Sequence, residues 1–333
     1  MCRTDFSEKN VLITGSTGFI GCYVLNELNA YNCHVIRLSR QKITHNPTFS
    51  NLEIHDRIGP IEKQGTWENI FDEFSIDYVF HLAAQTSFYK AAADPRWEFE
   101  CNVAPILALL ECCKKSKQSP VIIYTGTVSQ YGLNPKLPVK ENHPDCPTTI
   151  HDLHKTAAEN YLKFYTQTNL VKGTSLRLAN VYGIPLGETL ETDRGVLNKV
   201  ISSALDENVL QLYGTGDYIR DFIHVSDVAK AIVIAAIHID KLTGNHWIIS
   251  YGKGFTLEEV FKLIGEYVRP YISQDIQVNK VLEPEGMLEI EKRHFVGDIS
   301  KFSEITGWVP QITLEEGLKY TVKKIADPTC SGS

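Results

Sequence analysis

At 333 residues the chain can bury a large core in one large or two interlocked domains, and its 43% hydrophobic and 22% charged content is that of an ordinary soluble globular protein. A net charge of −7 argues against nucleic acid or an anionic membrane as the main partner. No apolar run is long enough to span a bilayer, the first ten residues hold no signal-peptide core, and the eight cysteines include no C-x-x-C, which together point to free thiols in a cytoplasmic protein. The first element in chain order is a short apolar strand, Val11–Ile13, closed by Thr14-Gly15. Gly15, Gly18 and Gly21 follow at three-residue spacing, and a helix begins near Phe19 with Tyr23, Val24 and Leu28 on its apolar side. Cys33–Leu38, Asn51–His55, Asp77–Leu82, Pro120–Thr125 and Gly173–Leu178 read as further strands. Helices are predicted over Pro95–Lys117, with Trp97, Cys101 and Ile106 on its apolar side, and over His151–Thr168. Strands spaced by helices imply an α/β doubly wound parallel sheet, with ligands at the carboxyl ends of the strands.

A buried strand, a glycine turn and a helix start make an anion cradle. The glycines let the backbone approach a pyrophosphate, and the helix N-terminus offers free N–H groups and partial positive charge. The dinucleotide is therefore expected on Gly15, Thr17, Gly18, Phe19, Ile20 and Gly21, and past strand four on Leu82, Ala83, Ala84 and Gln85. Where an NAD site commonly carries an acidic residue, this chain has Ser39-Arg40; a hydroxyl beside a guanidinium suits a 2′-phosphate, so NADP is favoured with NAD as the alternative. Asp56 is a candidate for the adenine amino group.

TGSTGFIG, DYVFHLAAQ, the Asn102-Val103 step, SLRLANVYG, GTGDYIRDFIHVSDVAKAI and GWVPQITLEEGL, in that order from about Val11 to Leu318, resemble the extended short-chain dehydrogenase/reductases, in the nucleotide-sugar branch often labelled NAD-dependent epimerase/dehydratase. The resemblance implies a Rossmann-type domain over 1–182, a smaller substrate domain over 183–333, and return of part of 220–252 to the large sheet. It also implies a homodimer formed through the helices near Pro95–Lys117 and His151–Thr168, and transient hydride transfer at a sugar carbon. Asn102 is implied at the cofactor site. The family's Ser/Thr falls on Thr127 and its Tyr-x-x-x-Lys on His151 and Lys155, so the lysine is kept and histidine stands where tyrosine is expected. The i, i+4 spacing puts both side chains on one helix face. Imidazole can move a proton near neutral pH, so His151 is the expected proton carrier, with Tyr131 and His154 as substitutes.

The dehydratases of the family carry an acidic pair after that Thr; Val128-Ser129 cannot replace it, which leaves a reductase or an epimerase. The NADP reading favours a 4-ketoreductase of a nucleotide-activated 4-keto-6-deoxy sugar, the alternatives being a 4-epimerase and a catalytically impaired dinucleotide-binding protein. For the sugar nucleotide the resemblance implies Asn180, Val196, Val200, Arg220 and Arg293, with Thr86 and Ser87 facing the sugar. Asp221 is expected to be structural, and no metal site is expected.

Overall fold

The computed structural model describes residues 6–43, 49–186, 195–207, 209–273 and 276–327. In chain order the first half runs β1 (Asn10–Thr14), α1 (Phe19–Leu28), β2 (Cys33–Ser39), β3 (Leu52–Ile58), α2 (Gln64–Glu73), β4 (Tyr78–His81), α3 (Phe88–Ala93), α4 (Pro95–Asn102), α5 (Ala104–Ser116), β5 (Val121–Thr127), α6 (Ile150–Gln167) and β6 (Lys172–Leu178). The second half runs β7 (Asn180–Tyr182), α7 (Val196–Glu207), β8 (Val209–Tyr213), β9 (Ile219–His224), α8 (Val225–Ile237), α9 (Ile239–Leu242), β10 (His246–Ile249), β11 (Gly254–Thr256), α10 (Leu257–Val268), β12 (Gln277–Val281), α11 (Ser300–Thr306) and α12 (Leu314–Ala326).

Seven parallel strands form the large sheet in the order β10-β6-β5-β4-β1-β2-β3. Strand order reverses between β1 and β4, and the crevice at such a switch point is where open α/β sheets bind ligands. Val11, Leu12 and Ile13 are fully buried because both sheet faces are covered. Val11 and Ile13 pack with Val24, Val228 and Ile232 of α1 and α8, whereas Leu12 packs with Trp67, Leu109 and Leu162 of α2, α5 and α6. A separate core of Leu197, Ile201, Phe222, Phe261 and Leu318 holds α7, α10 and α12 over two small sheets, β11-β9-β7 and β12-β8. Of the segment 220–252, β10 pairs with β6 and α8 covers the large sheet, but β9 pairs with β7 and β11.

The helix expected over Pro95–Lys117 is two helices broken at Val103. Pro105 has no N–H to give and its ring would meet the carbonyl of Cys101, so α4 must stop and α5 start afresh. The break changes which face points inward. Trp97, expected in the core, is exposed, while Glu98 and Asn102 are buried. Among the described residues, Cys33, Cys101, Cys112, Cys113 and Cys146 are free thiols and Cys22 Sγ donates to the Ser16 carbonyl; Cys2 and Cys330 lie outside the described residues. No helix of the described residues is long and apolar enough to cross a membrane.

Candidate active site

Thr14 ends β1 and stitches it to β4: its carbonyl accepts from Leu82 N–H and its hydroxyl from Ala83 N–H. Gly15 follows at φ +73°, and a Cβ there would come within 2.8 Å of the Ala83 backbone nitrogen. Gly21 lets α1 press on this turn, since a Cβ would stand 2.1 Å from the Gly15 carbonyl oxygen. Gly18 caps α1 with no side chain on its N–H groups, and the first turn carries no acidic residue. An uncapped helix end over a glycine turn at the switch point fits a dinucleotide pyrophosphate. Thr17 is exposed beside it, Ile20 half-buried and Phe19 inside the core, so Phe19 can offer only backbone. The 82–87 loop on the other side is tied internally. Asn102 exchanges hydrogen bonds with the backbone N–H and carbonyl of Gln85, Gln85 bonds the backbone of Ser87, and Ser87 caps α3. Asn102 thus shapes the loop from beneath, and Thr86 is its exposed tip.

At the far end, Ser39 is half-buried and Arg40 exposed. Asp56, expected at the adenine, has both carboxylate oxygens held by Arg37 at 2.8 and 2.9 Å across β2 and β3.

The catalytic candidates converge where β5 ends and α6 begins. Thr149 and Asp152 close a reciprocal cap that starts α6 at Ile150 and fixes His151 in its first turn. Asp152 also accepts from Ser129 Oγ, which leaves Ser129 Oγ to accept a hydrogen bond from the Thr127 hydroxyl at 2.9 Å. Lys155 donates to the Thr125 carbonyl at 2.7 Å and lies over the Tyr124 ring. Burial pulls its ammonium down to about 8, against the opposing pull of Glu98 and Glu159. His151 is 4% exposed; its Nδ1 meets Glu98 Oε1 at 3.0 Å and Phe88 stands edge-on to its ring. Tyr131 is occupied elsewhere, bonded to His246 Nε2 and covered by the Arg177 guanidinium. His154 bonds the second oxygen of Glu98.

Phe88 links this cluster to the other end of the cleft, because the Arg293 guanidinium lies 5.9 Å from its ring centre. Arg293 donates to Asn180 Oδ1 at 3.1 Å, and its Nε has no partner among the described residues. Arg220, 3% exposed, spends its N–H groups on the carbonyls of Ile219, Glu291 and Arg293. Burial and then the neighbouring Arg293 lower it to about 9, and burial lowers Arg293 as well. Among the described residues the other buried arginines are matched: Arg37 with Asp56, Arg177 with Asp145 and Glu159. Two adjacent buried cations with no carboxylate in ion-pair contact among the described residues, only Glu291 and Asp152 acting on them from further off, are costly in a bare protein and fit an anionic ligand such as a diphosphate. Of the two α7 valines expected along the nucleotide, Val196 is exposed and Val200 packs against the core that α7 shares with α10 and α12. Asp221 accepts from the backbone N–H groups of Tyr251, Gly252 and Gly297, which makes it a loop anchor and not a partner of Arg220.

Glu98 is the residue that sequence reasoning missed. Its signal was the i, i+4 pair with Asn102, hidden by treating α4 and α5 as one helix.

The pattern describing the NAD dependent epimerase/dehydratase family matches residues 11–250. A UDP-glucose 4-epimerase of Mycolicibacterium smegmatis is 26% identical over 318 residues, covering 94% of this chain and 97% of that one. The crystal structure of UDP-glucose 4-epimerase with UDP-glucose from Thermotoga maritima superposes with a TM-score of 0.80 at 31% identity, covering 95% and 98% of the two chains. That of the Thermus thermophilus UDP-glucose 4-epimerase in complex with NAD gives 0.79 at 28% identity, covering 94% and 98%.

Proposed function

The chain belongs to the NAD dependent epimerase/dehydratase family, and from that premise we propose that it is a nucleoside-diphosphate-sugar 4-epimerase, with UDP sugars as the first substrates to test. The observation that carries the substrate class is the unmatched buried pair Arg220 and Arg293 beside Asn180, a cradle for a diphosphate. The bound dinucleotide supplies a reversible hydride acceptor at the sugar carbon. As C4 gives up hydride, His151 would take the proton of the 4-hydroxyl, leaving a ketone; once the ketone has turned over, return of hydride to its opposite face and of the proton to its oxygen would yield the epimer. Lys155 holds positive charge beneath the site, and Thr127 bonds the reacting oxygen in exchange for its contact with Ser129.

An epimerase recycles its hydride and has no need of a reduced-cofactor supply. Ser39-Arg40 taken alone favours NADP and a ketoreductase; the family and the 4-epimerase relatives weigh on the side of NAD and epimerisation. The same reading includes a homodimer. Phe99 of α4 and Leu153 and Phe164 of α6 are large apolar side chains left exposed on the two helices, where a second copy would cover them.

Purified protein incubated with UDP-glucose, UDP-galactose, UDP-glucuronate and their N-acetyl relatives, and separately with NADPH and a nucleotide-activated 4-keto-6-deoxy sugar, followed by sugar NMR and nicotinamide absorbance, decides the reaction. A 4-epimer formed with no net change in cofactor is expected, and it should disappear in H151N. NADPH consumed stoichiometrically with a 4-keto-6-deoxy sugar would return the assignment to the ketoreductase. Dinucleotide bound with no sugar chemistry would leave a binding protein.

A further inference from the structure

Glu98 is a buried carboxylate that the reaction above does not use. It is fully enclosed, and three groups converge on it: His151 Nδ1 and Asn102 Nδ2 on Oε1, and His154 Nδ1 on Oε2. Burial favours its neutral acid, but the hydrogen bonds from His151, His154 and Asn102 outweigh burial and hold its carboxyl below the usual range. At neutral pH Glu98 is therefore ionised, and an ionised carboxylate can only accept. Each imidazole facing it must then carry its proton on Nδ1. In neutral His151 that leaves the lone pair on Nε2, on the side of the ring away from α4, where it bonds nothing among the described residues.

We infer that Glu98 is the positioning residue of the proton carrier: it fixes His151 as the Nδ1–H tautomer, so that Nε2 is a ready base for the sugar hydroxyl. This rests on the epimerase reading for the identity of the proton's source, but the tautomer itself does not. When Nε2 takes the hydroxyl proton the ring becomes an imidazolium, already hydrogen-bonded to a carboxylate, and the charge is balanced within the protein until the proton returns. A phenol in this place needs no such partner, because its single oxygen both gives and takes the proton. An imidazole has two distinct nitrogens and one must be chosen. The buried Glu98 on α4 is the group that makes the choice. Asn102, one turn further along α4, holds the same carboxylate and the Gln85 backbone, so the base and the cofactor loop share one support.

The test is long-range 1H–15N correlation on the full chain labelled at histidine, with His151 assigned by its loss in H151N. In wild type, brought to a pH at which its ring is neutral, His151 is expected to show a protonated Nδ1 and an unprotonated Nε2. E98Q replaces an acceptor oxygen with an NH2 group and cannot satisfy all three donors; the His151 signals should move to the other tautomer or to an exchanging mixture. In the same variant kcat should fall by about 100-fold or more with KM little changed, and E98D, which keeps the carboxylate, should recover part of the rate. A neutral wild-type His151 with its proton on Nε2 overturns the inference, whatever the enzyme does to sugars. So does an E98Q protein that folds and keeps wild-type tautomer and rate. If E98Q does not fold, the wild-type spectrum still decides. Absence of epimerase activity alongside the expected tautomer would sink the substrate reading and leave the role of Glu98 standing.

Discussion

Lys155 carries its charge where burial opposes it. Its folded value near 8 lies below that of an ordinary lysine, so below about pH 8 the buried ammonium costs stability, and the cost is relieved as pH rises from there toward the lysine range. Turnover should run the opposite way, because the site needs the cation: kcat is expected to fall as pH passes about 8, and K155M should be inactive yet no less stable than wild type at pH 7. A pH–rate profile level to about pH 10 would show that Lys155 does not titrate in this range. That Lys155 shares a helix face with His151 was legible, because i, i+4 spacing on a helix needs no knowledge of the rest of the chain. The Arg37–Asp56 pair was not: it depends on how β2 registers against β3, and nothing local in either strand states that register. The same holds for Arg220, whose bonds to the 291 and 293 carbonyls cross some seventy residues.

Among the elements, α1 and the turn before it work as one piece. Gly21→Ala places a methyl against the Gly15 carbonyl and Ser16 Cα, closer than any side chain can stand, and α1 must move off β1. The expected cost is about 1–3 kcal/mol of stability, together with at least a tenfold loss of dinucleotide affinity read by titration calorimetry. Gly65→Ala in α2, where the added atom meets nothing, should leave binding unchanged and stability equal or up to about 1 kcal/mol higher. If the two variants behave alike, the close approach is not what Gly21 is for. Strands β1 to β6 and helices α1 and α6 were readable because each carries its own apolar period and lies between clear breaks. The three-stranded sheet was not, since its members are short and β11 reaches β9 from the far side of β10. The helix over residues 95–117 went wrong for a local reason that the sequence did contain: Pro105 marked the break, and honouring it would have freed the buried face of α4 from that of α5.

For the whole molecule, the face formed by Phe99, Leu153 and Phe164 predicts a measurable mass. Light scattering is expected to give twice the chain mass for wild type and a single chain for L153E/F164E, with the fold kept by circular dichroism; a wild-type monomer would discard the dimer. Another consequence follows from where β10 sits. Synthesis runs from the N-terminus, so β6 emerges with its outer edge bare and stays so while β7, α7, β8, β9 and α8 are made. An unpaired strand edge invites other chains. β10 then brings Trp247, and Phe302 and Trp308 from α11 and just beyond it are the aromatic rings that seal it in place. The nascent large sheet thus keeps an open edge until β10 arrives, and the rings that seal β10 against it are made later still.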